Sequence, residues 1–172
     1  MKRIVLIGAG LSTKSLVPYL KDRLVSHQWY LRVLDRDLTV AQNRLGHETD
    51  QCSAAAIDIT DTTLLELELA DTDVAISMVP AHMHMNVAKA CLKLGIHLLT
   101  ASYLSDEMKE LDQEVKAKKL VFLNECGLDP GIDHMSAMRL LDDIRDNGGD
   151  IKLFESFTGG LLSPESEGDN PW

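Results

Sequence analysis

Basic residues are scarce in this sequence, and their scarcity excludes two classes of partner. The 172 residues include 17 lysines and arginines against 27 aspartates and glutamates, giving a formal net charge of −10 and a pI near 4.9. A nucleic-acid-binding protein needs a basic stripe to neutralise phosphates, and an anionic membrane surface selects for the same charge. We therefore expect no nucleic acid and no membrane among the partners.

Long apolar runs and a cysteine framework are also missing. No run approaches the roughly 20 apolar residues that span a bilayer, and residues 4–7, which precede Gly8, are too few for the core of a signal peptide. Cys52, Cys91 and Cys126 have neither a CxxC motif nor the spacing of metal ligands. These absences favour a reducing compartment, and we predict a cytoplasmic protein with no bound metal.

The hydrophobic residues that are present suggest an aliphatic α/β core. Residues 4–7 form a continuous apolar run, typical of a strand buried on both faces of a parallel sheet. Gly8, Ala9, Gly10 and Leu11 follow, and then a helical pattern interrupted by Pro18, which predicts a kinked or late-starting helix. Strand, glycine turn and helix in this order are the context of a dinucleotide-binding site.

Asp35 follows a second predicted strand, residues 31–34, at close to the spacing of about 20 residues expected for a ribose-binding carboxylate. A carboxylate at this point would repel a 2′-phosphate, which favours NAD over NADP. Arg36, beside it, offers the opposite outcome by clamping that phosphate. A third interpretation is that Asp35 only ends a surface strand. The cofactor is therefore predicted as NAD or NADP, with a lean towards NAD.

Four further strands are predicted, at residues 54–57, 73–80, 96–100 and 120–123, with helices between them. Asp58 is expected near the adenine pocket, and Ser77 lies at the carboxyl end of the fourth strand. The fold class is therefore α/β, a doubly wound parallel sheet, over residues 1–150. An imperfect alternation at residues 151–157 predicts one more strand, which we interpret as the start of a second, α+β substrate domain over residues 151–172.

The segment 124–134 concentrates two glycines, a proline, three acids and a histidine directly after the sixth predicted strand. A loop in this position lies at the ligand crevice of a doubly wound sheet. His82 and His84 also look chemical, but residues two apart point about 200° apart on a helix and cannot share a metal ion. We leave open that His84 faces the crevice.

Several motifs resemble saccharopine dehydrogenase of the L-glutamate-forming type. They are residues 8–13, 76–80, 100–103 and 124–135, together with residues 159–171, which are similar to the family's Gly-Gly-Leu-Pro-Ala-Pro-Glu segment except for Leu162-Ser163 and one extra residue near Gly168. The resemblance implies an NAD(P)-dependent oxidoreductase that interconverts saccharopine with L-glutamate and 2-aminoadipate 6-semialdehyde in lysine metabolism. It also implies a longer parent chain that forms a homodimer.

The resemblance also implies the roles of individual residues. The implied cofactor contacts are Gly8, Ala9, Gly10, Leu11, Asp35, Arg36, Asp58, Ile59, Ser77, Ala101, Ser102, Leu128, Asp129 and Pro130. The implied substrate contacts are Ser102, Tyr103 and Asp129. Among the ionisable groups near the crevice, Tyr103, Asp129 and His134, none is assigned as the catalytic base, and His134 is interpreted as structural.

Two other interpretations of the sequence are kept. A glycine turn followed by residues 33–37 also resembles the nucleotide-sensing Rossmann modules of potassium channels, although such modules do not need the loop at residues 128–130. A related amine dehydrogenase, such as carboxynorspermidine dehydrogenase, would have a similar build. The unpaired last strand and a Gly/Pro-rich end suggest a truncated chain, which we expect to bind cofactor weakly and to turn over nothing.

Overall fold

A computed structural model describes residues 1–157, and its centre is one parallel sheet of six strands. The strands are β1 (Lys2–Ile7), β2 (Trp29–Asp35), β3 (Cys52–Ala56), β4 (Val74–Ser77), β5 (His97–Thr100) and β6 (Phe122–Leu123). Their order is β3-β2-β1-β4-β5-β6, and every neighbouring pair is parallel. From β1, the chain first adds strands on one side of the sheet, as β2 and β3, and then on the other side, as β4, β5 and β6. This reversal of strand order between β1 and β4 confirms the prediction of a doubly wound sheet.

Eight α-helices connect or follow these strands in the described residues. They are α1 (Leu16–Lys21), α2 (Leu24–His27), α3 (Leu38–Leu45), α4 (Thr62–Leu69), α5 (His84–Leu94), α6 (Asp106–Glu110), α7 (Asp112–Ala117) and α8 (Ile132–Asp146). Asp61 caps α4 and Ser105 caps α6, because each side chain accepts a hydrogen bond from a backbone N–H of the first turn. No helix among residues 1–157 is long and apolar enough to cross a membrane.

The apolar run of β1 is continuous because both faces of the strand are covered. Ile4 and Leu6 belong to one buried cluster, which also contains Val17 of α1. Val5 and Ile7 belong to a second cluster, which contains residues of α4 and α5. Successive side chains of a strand point to opposite faces, so the run serves two cores at once. This burial fixes the position of β1 at the centre of the sheet.

The helix after the glycine turn starts late, as Pro18 predicted. Leu11–Thr13 forms a single 3₁₀ turn, and α1 begins only at Leu16. Pro18 then falls within the first turn of α1, where its missing N–H has no intrahelical acceptor to lose. The proline therefore sets where the helix can begin.

The strand predicted at residues 151–157 is wrong, since this segment has no regular secondary structure. Leu153 and Phe154, which alternation would place on opposite faces, are both exposed. A strand needs a neighbour for its backbone hydrogen bonds, and none of the strands in residues 1–157 pairs with it. The motif predicted at residues 159–171 lies outside the described residues. Contacts divide the chain into Met1–His134 and Met135–Trp172, while the predicted boundary after residue 150 stays a prediction.

Candidate dinucleotide-binding site

The glycine turn after β1 combines one glycine that is packed with one that faces open space. Gly8 has a φ of +95°, and a Cβ there would lie 2.7 Å from the carbonyl oxygen of Met78. A Cβ on Gly10 would meet nothing within 4 Å. Gly8 is therefore required for the close approach of β1 to the segment after β4, whereas the room at Gly10 is available to a ligand.

Some backbone N–H groups of this turn donate hydrogen bonds within the protein, and others are left for a ligand. The N–H of Ala9 donates to Oδ2 of Asp35 at 2.7 Å, and the buried Thr13 hydroxyl donates to the carbonyl of Gly10 at 2.7 Å. Within the described residues, the N–H groups of Gly10, Leu11 and Ser12 have no acceptor in the protein. Amides left unsatisfied at the start of a helical turn are suited to bind an anion such as a pyrophosphate.

A cavity of about 520 Å³ opens beside this turn, within the range of small-molecule sites. Six predicted cofactor contacts line it, namely Gly8, Gly10, Asp35, Arg36, Asp58 and Ile59. Another six lining residues were not predicted from the sequence, and they are Ile7, Ile57, Met78, Val79, Pro80 and Met83. Three of these, residues 78–80, could have been predicted, because they directly follow β4, which is the strand next to β1.

Three charged groups stand at the β2–β3 end of the cavity. Oδ1 of Asp35 accepts from the N–H of Asp37 at 3.1 Å, so both carboxylate oxygens of Asp35 already have backbone partners. Hydrogen bonds from the hydroxyl and N–H of Thr60 hold the pKa of Asp58 below its ordinary value, and the charge of Arg36 adds to the effect. Among residues 1–157, no carboxylate or carbonyl accepts a hydrogen bond from the guanidinium of Arg36.

The loop after β6 runs alongside the segment after β5. The N–H of Cys126 donates to the carbonyl of Thr100, and the N–H of Glu125 donates to the carbonyl of Ser102. A Cβ on Gly131 would lie 2.2 Å from the carbonyl oxygen of Gly127. The two glycines of this loop therefore pack against each other, and the loop is closed by its own backbone.

Side chains of this loop meet Tyr103, which follows β5. The Tyr103 hydroxyl donates to Oδ1 of Asp129 at 2.7 Å. That bond raises the pKa of Tyr103, and burial and the surrounding carboxylates raise it further. His134 bonds Asp133 through Nδ1 at 2.8 Å, and this partner raises the pKa of His134. The hydrogen bond agrees with the interpretation of His134 as structural.

Asp129, Asp133 and His134 offer ligand atoms that all lie within 4.8 Å of one another. All three groups have hydrogen-bond partners inside the protein, so their proximity does not require a cation. The expectation that the protein holds no metal stays a prediction.

A buried polar cluster joins the ends of β4 and β5. The imidazole of His84 contacts the hydroxyl of Ser77 through Nδ1 and that of Ser102 through Nε2, each at 2.8 Å. Ser77 is fully buried, backbone included, so its predicted contact with a cofactor stays a prediction. Burial lowers the pKa of His84 and so favours the neutral ring.

The remaining predicted contacts lie outside the lining of the cavity. Ala9 is buried in the core, while the side chain of Leu11 is exposed. The others lie at the same edge of the sheet, at the end of β4 or in the segments after β5 and β6, and they are Ser77, Ala101, Ser102, Tyr103, Leu128, Asp129 and Pro130. Because the lining of the cavity extends from the segment after β3 only as far as the segment after β4, the roles of these seven residues stay predictions.

A sheet of order β3-β2-β1-β4-β5-β6, with a glycine turn and a cavity at the reversal of strand order, defines a Rossmann domain of the dinucleotide-binding class. The model of the saccharopine dehydrogenase NADP binding domain matches residues 4–123, and that of the saccharopine dehydrogenase C-terminal domain matches residues 127–172. The chain therefore belongs to the saccharopine dehydrogenase family.

Individual relatives agree with this assignment. Saccharopine dehydrogenase [NADP(+), L-glutamate-forming] of Saccharomyces cerevisiae is 34% identical over 99% of this chain and 37% of the yeast protein. Alpha-aminoadipic semialdehyde synthase of Arabidopsis thaliana is 35% identical over 98% of this chain and 17% of the plant protein. The apo structure of the yeast enzyme superposes with a TM-score of 0.81, covering 96% of this chain and 36% of the yeast chain.

The chain thus spans little more than a third of the yeast relative that it matches. A nicotinamide cofactor is supported, but the lean towards NAD is not, because the family model and the yeast relative both name NADP. The prediction of NAD assumed that the Asp35 carboxylate faces the ribose. Both of its oxygens instead accept hydrogen bonds from the backbone N–H groups of Ala9 and Asp37.

Proposed function

We propose that this chain is the NADP-binding portion of an enzyme that interconverts saccharopine with L-glutamate and 2-aminoadipate 6-semialdehyde. The observation that carries the proposal is the 34% identity to yeast saccharopine dehydrogenase over nearly the whole chain. The cavity beside the glycine turn, at the reversal of strand order, is consistent with it. Homodimer formation and the cytoplasmic location stay predictions.

The choice of NADP over NAD rests on Arg36. Its guanidinium lies on the rim of the cavity next to Asp35 and has no hydrogen-bond acceptor among residues 1–157. Asp35 instead braces the glycine turn through its bond to Ala9. A guanidinium in this place would pair with the 2′-phosphate through charge-assisted hydrogen bonds. The charge of Arg36 contributes to the lowered pKa of Asp58, so the two side chains share the electrostatic environment at this end of the cavity.

The bound nicotinamide would supply the acceptor for a hydride from the saccharopine carbon next to the secondary amine. The chain's own contribution is to orient cofactor and substrate. The amides of Gly10, Leu11 and Ser12 would hold the pyrophosphate. Tyr103 and Asp129, joined by their hydrogen bond, would contact the substrate at the other end of the crevice. We assign no catalytic base.

Titration of the chain with NADPH and NADH tests the cofactor. We expect wild type to prefer NADPH and Arg36→Ala to lose roughly 10-fold or more in NADPH affinity, because one charge-assisted contact is worth about 1.5–3 kcal/mol. NADH affinity should not change. Arg23→Ala is the control, because Arg23 is half-buried, stacks on Tyr19 and does not line the cavity. Equal NADPH affinity in wild type and Arg36→Ala would refute the role of Arg36.

A chimera tests the reaction. This chain would replace the corresponding portion of the yeast enzyme, and the product would be assayed for NADP-dependent oxidation of saccharopine and of carboxynorspermidine. We expect oxidation of saccharopine and none of the polyamine. A chimera that binds NADPH but oxidises only the polyamine would transfer the assignment to an amine dehydrogenase of related build. Binding of NADPH with turnover of neither compound, in a correctly folded chimera, would favour a nucleotide-sensing module.

A further inference from the structure

His84 lies at the centre of a cluster that no role in cofactor or substrate contact explains. His84 is 5% exposed, and Ser77 and Thr100 in the same cluster are 0% and 2% exposed. Nδ1 is 2.8 Å from Oγ of Ser77, and Nε2 is 2.8 Å from Oγ of Ser102. Ser77 ends β4 and Ser102 follows β5. The imidazole therefore links the ends of two strands at the ligand edge.

The position of the ring proton follows from the buried hydroxyl of Ser77. Among the described residues, that hydroxyl has one hydrogen-bond partner, Nδ1 of His84. A buried hydroxyl that cannot donate loses free energy, so Ser77 donates and Nδ1 accepts. A neutral imidazole carries one proton, which places it on Nε2. Oγ1 of Thr100, also buried, is 3.4 Å from the same Nδ1, so the Thr100 hydroxyl can donate there too, and a proton on Nε2 leaves neither hydroxyl without an acceptor.

The consequence reaches Ser102. The Nε2–H of His84 donates to Oγ of Ser102, with Oγ1 of Thr100 a longer second contact at 3.1 Å. The Ser102 side chain is only half-buried, and its own hydroxyl proton finds no acceptor in residues 1–157. That proton is therefore available to a ligand oxygen in the crevice.

We propose that His84 is a positioning residue, protonated on Nε2, that makes the Ser102 hydroxyl a hydrogen-bond donor to the carboxamide oxygen of the bound nicotinamide. The adenosine end of a dinucleotide lies on the β2–β3 side of such a sheet, near Asp35 and Asp58, and the nicotinamide end lies beyond β4. This inference rests on the proposed NADP binding. It adds a residue that touches neither cofactor nor substrate.

The tautomer is measured without a ligand by ¹⁵N NMR of the histidine-labelled chain, with the His84 signals assigned through their loss in His84→Gln. We expect a proton on Nε2 and none on Nδ1 at neutral pH. A proton on Nδ1, or a doubly protonated ring, would overturn the proposal. The measurement is made on wild type, and His84→Met supplies the same assignment if His84→Gln does not fold.

Two substitutions separate hydrogen bonding from packing. Gln and Met are both unbranched and of similar length, but only His84→Gln places an N–H donor near the position of Nε2. We expect NADPH affinity within about 3-fold of wild type for His84→Gln and roughly 10-fold weaker for His84→Met, the cost of about one hydrogen bond. His82→Gln is the control, because His82 is exposed two residues earlier in the chain. Equal affinities for the Gln and Met variants would show that His84 only fills space.

Titration with 2′-phospho-ADP-ribose, which lacks the nicotinamide, shows which part of the cofactor the substitutions affect. The affinity of this compound should be the same in wild type and His84→Met, and Ser102→Ala should not weaken NADPH binding further in the His84→Met background. Equal loss for both ligands would overturn the proposal in favour of a general structural role. If wild type binds no NADPH, the proposed function fails, while the NMR result still decides the tautomer.

Discussion

The loop after β1 and the loop after β6 both lie at the carboxyl edge of the sheet, and both depend on glycine. The glycines serve different purposes in the two loops. Gly8 packs against the backbone after β4, but nothing lies within 4 Å of a Cβ on Gly10. In the second loop, Gly127 and Gly131 are both packed, and Gly131 is packed against Gly127 itself. The first loop leaves backbone amides facing open space. The second is closed and presents side chains instead.

This difference suggests a division of the binding work. Backbone amides recognise a phosphate by charge and shape, independently of the rest of the ligand. Side chains such as Tyr103 and Asp129, which share a hydrogen bond, can distinguish one substrate from another. The two family models meet between residues 123 and 127, directly before the second loop, and the roles of Tyr103 and Asp129 stay predictions.

The largest expected effect is that of Gly8→Ala. The new Cβ would meet the Met78 carbonyl oxygen at 2.7 Å, and the φ of +95° is strained for any residue with a Cβ. We expect the free energy of unfolding to fall by about 3 kcal/mol, the sum of backbone strain and overpacking. Urea unfolding measures this. A loss below about 1 kcal/mol would mean that the backbone after β4 moves away easily from β1. Gly8 would then not be tightly packed.

Gly10→Ala is the matched substitution in the same turn. Its Cβ meets no protein atom and its φ of −66° suits alanine, so the free energy of unfolding should change by less than about 0.5 kcal/mol. NADPH affinity should nevertheless fall roughly 10-fold or more, because the methyl group would occupy the space of the pyrophosphate. Calorimetric titration measures the affinity. Unchanged NADPH affinity in Gly10→Ala would show that the ligand does not occupy the space next to Gly10.

The sequence predicted most of the first loop because its signals are local. The apolar run at residues 4–7, the two glycines and the position of Pro18 each act on the backbone nearby, and the structure confirms the strand, the turn and the late helix. The sixth strand was predicted at residues 120–123 but pairs only over Phe122–Leu123. Its length depends on alignment with β5, which no local pattern specifies.

The partners of the site residues could not be predicted for the same reason. Sequence spacing correctly separated His82 from His84, but it could not show that Ser77 and Ser102, from two other segments, meet on opposite sides of one ring. Likewise, the spacing placed Asp35 near a ribose without indicating that Ala9 would donate to it. Both contacts arise from the register of neighbouring parallel strands, which is set by long-range packing.

The smallest expected effect tests whether the second loop holds its side chains as firmly as its backbone. The hydrogen bond to Asp129 raises the pKa of Tyr103 above its ordinary value of 10.0. Protonated Tyr103 is therefore favoured in the folded state. The associated stability is present below about pH 10 and is lost as the pH rises through the higher folded value.

Absorbance titration of the phenolates in wild type and Tyr103→Phe isolates the Tyr103 signal among the three tyrosines. We expect Tyr103 to ionise above pH 10 in wild type and closer to 10.0 in Asp129→Asn, because that substitution removes the charge that opposes ionisation. Glu107→Gln is the control, since Glu107 is an exposed carboxylate on α6 that is not among the groups acting on Tyr103. If Tyr103 ionises at the same pH in wild type and Asp129→Asn, the side chains of the second loop are not held together in solution. The contrast between an open backbone site and an ordered side-chain site would then apply only to the first loop.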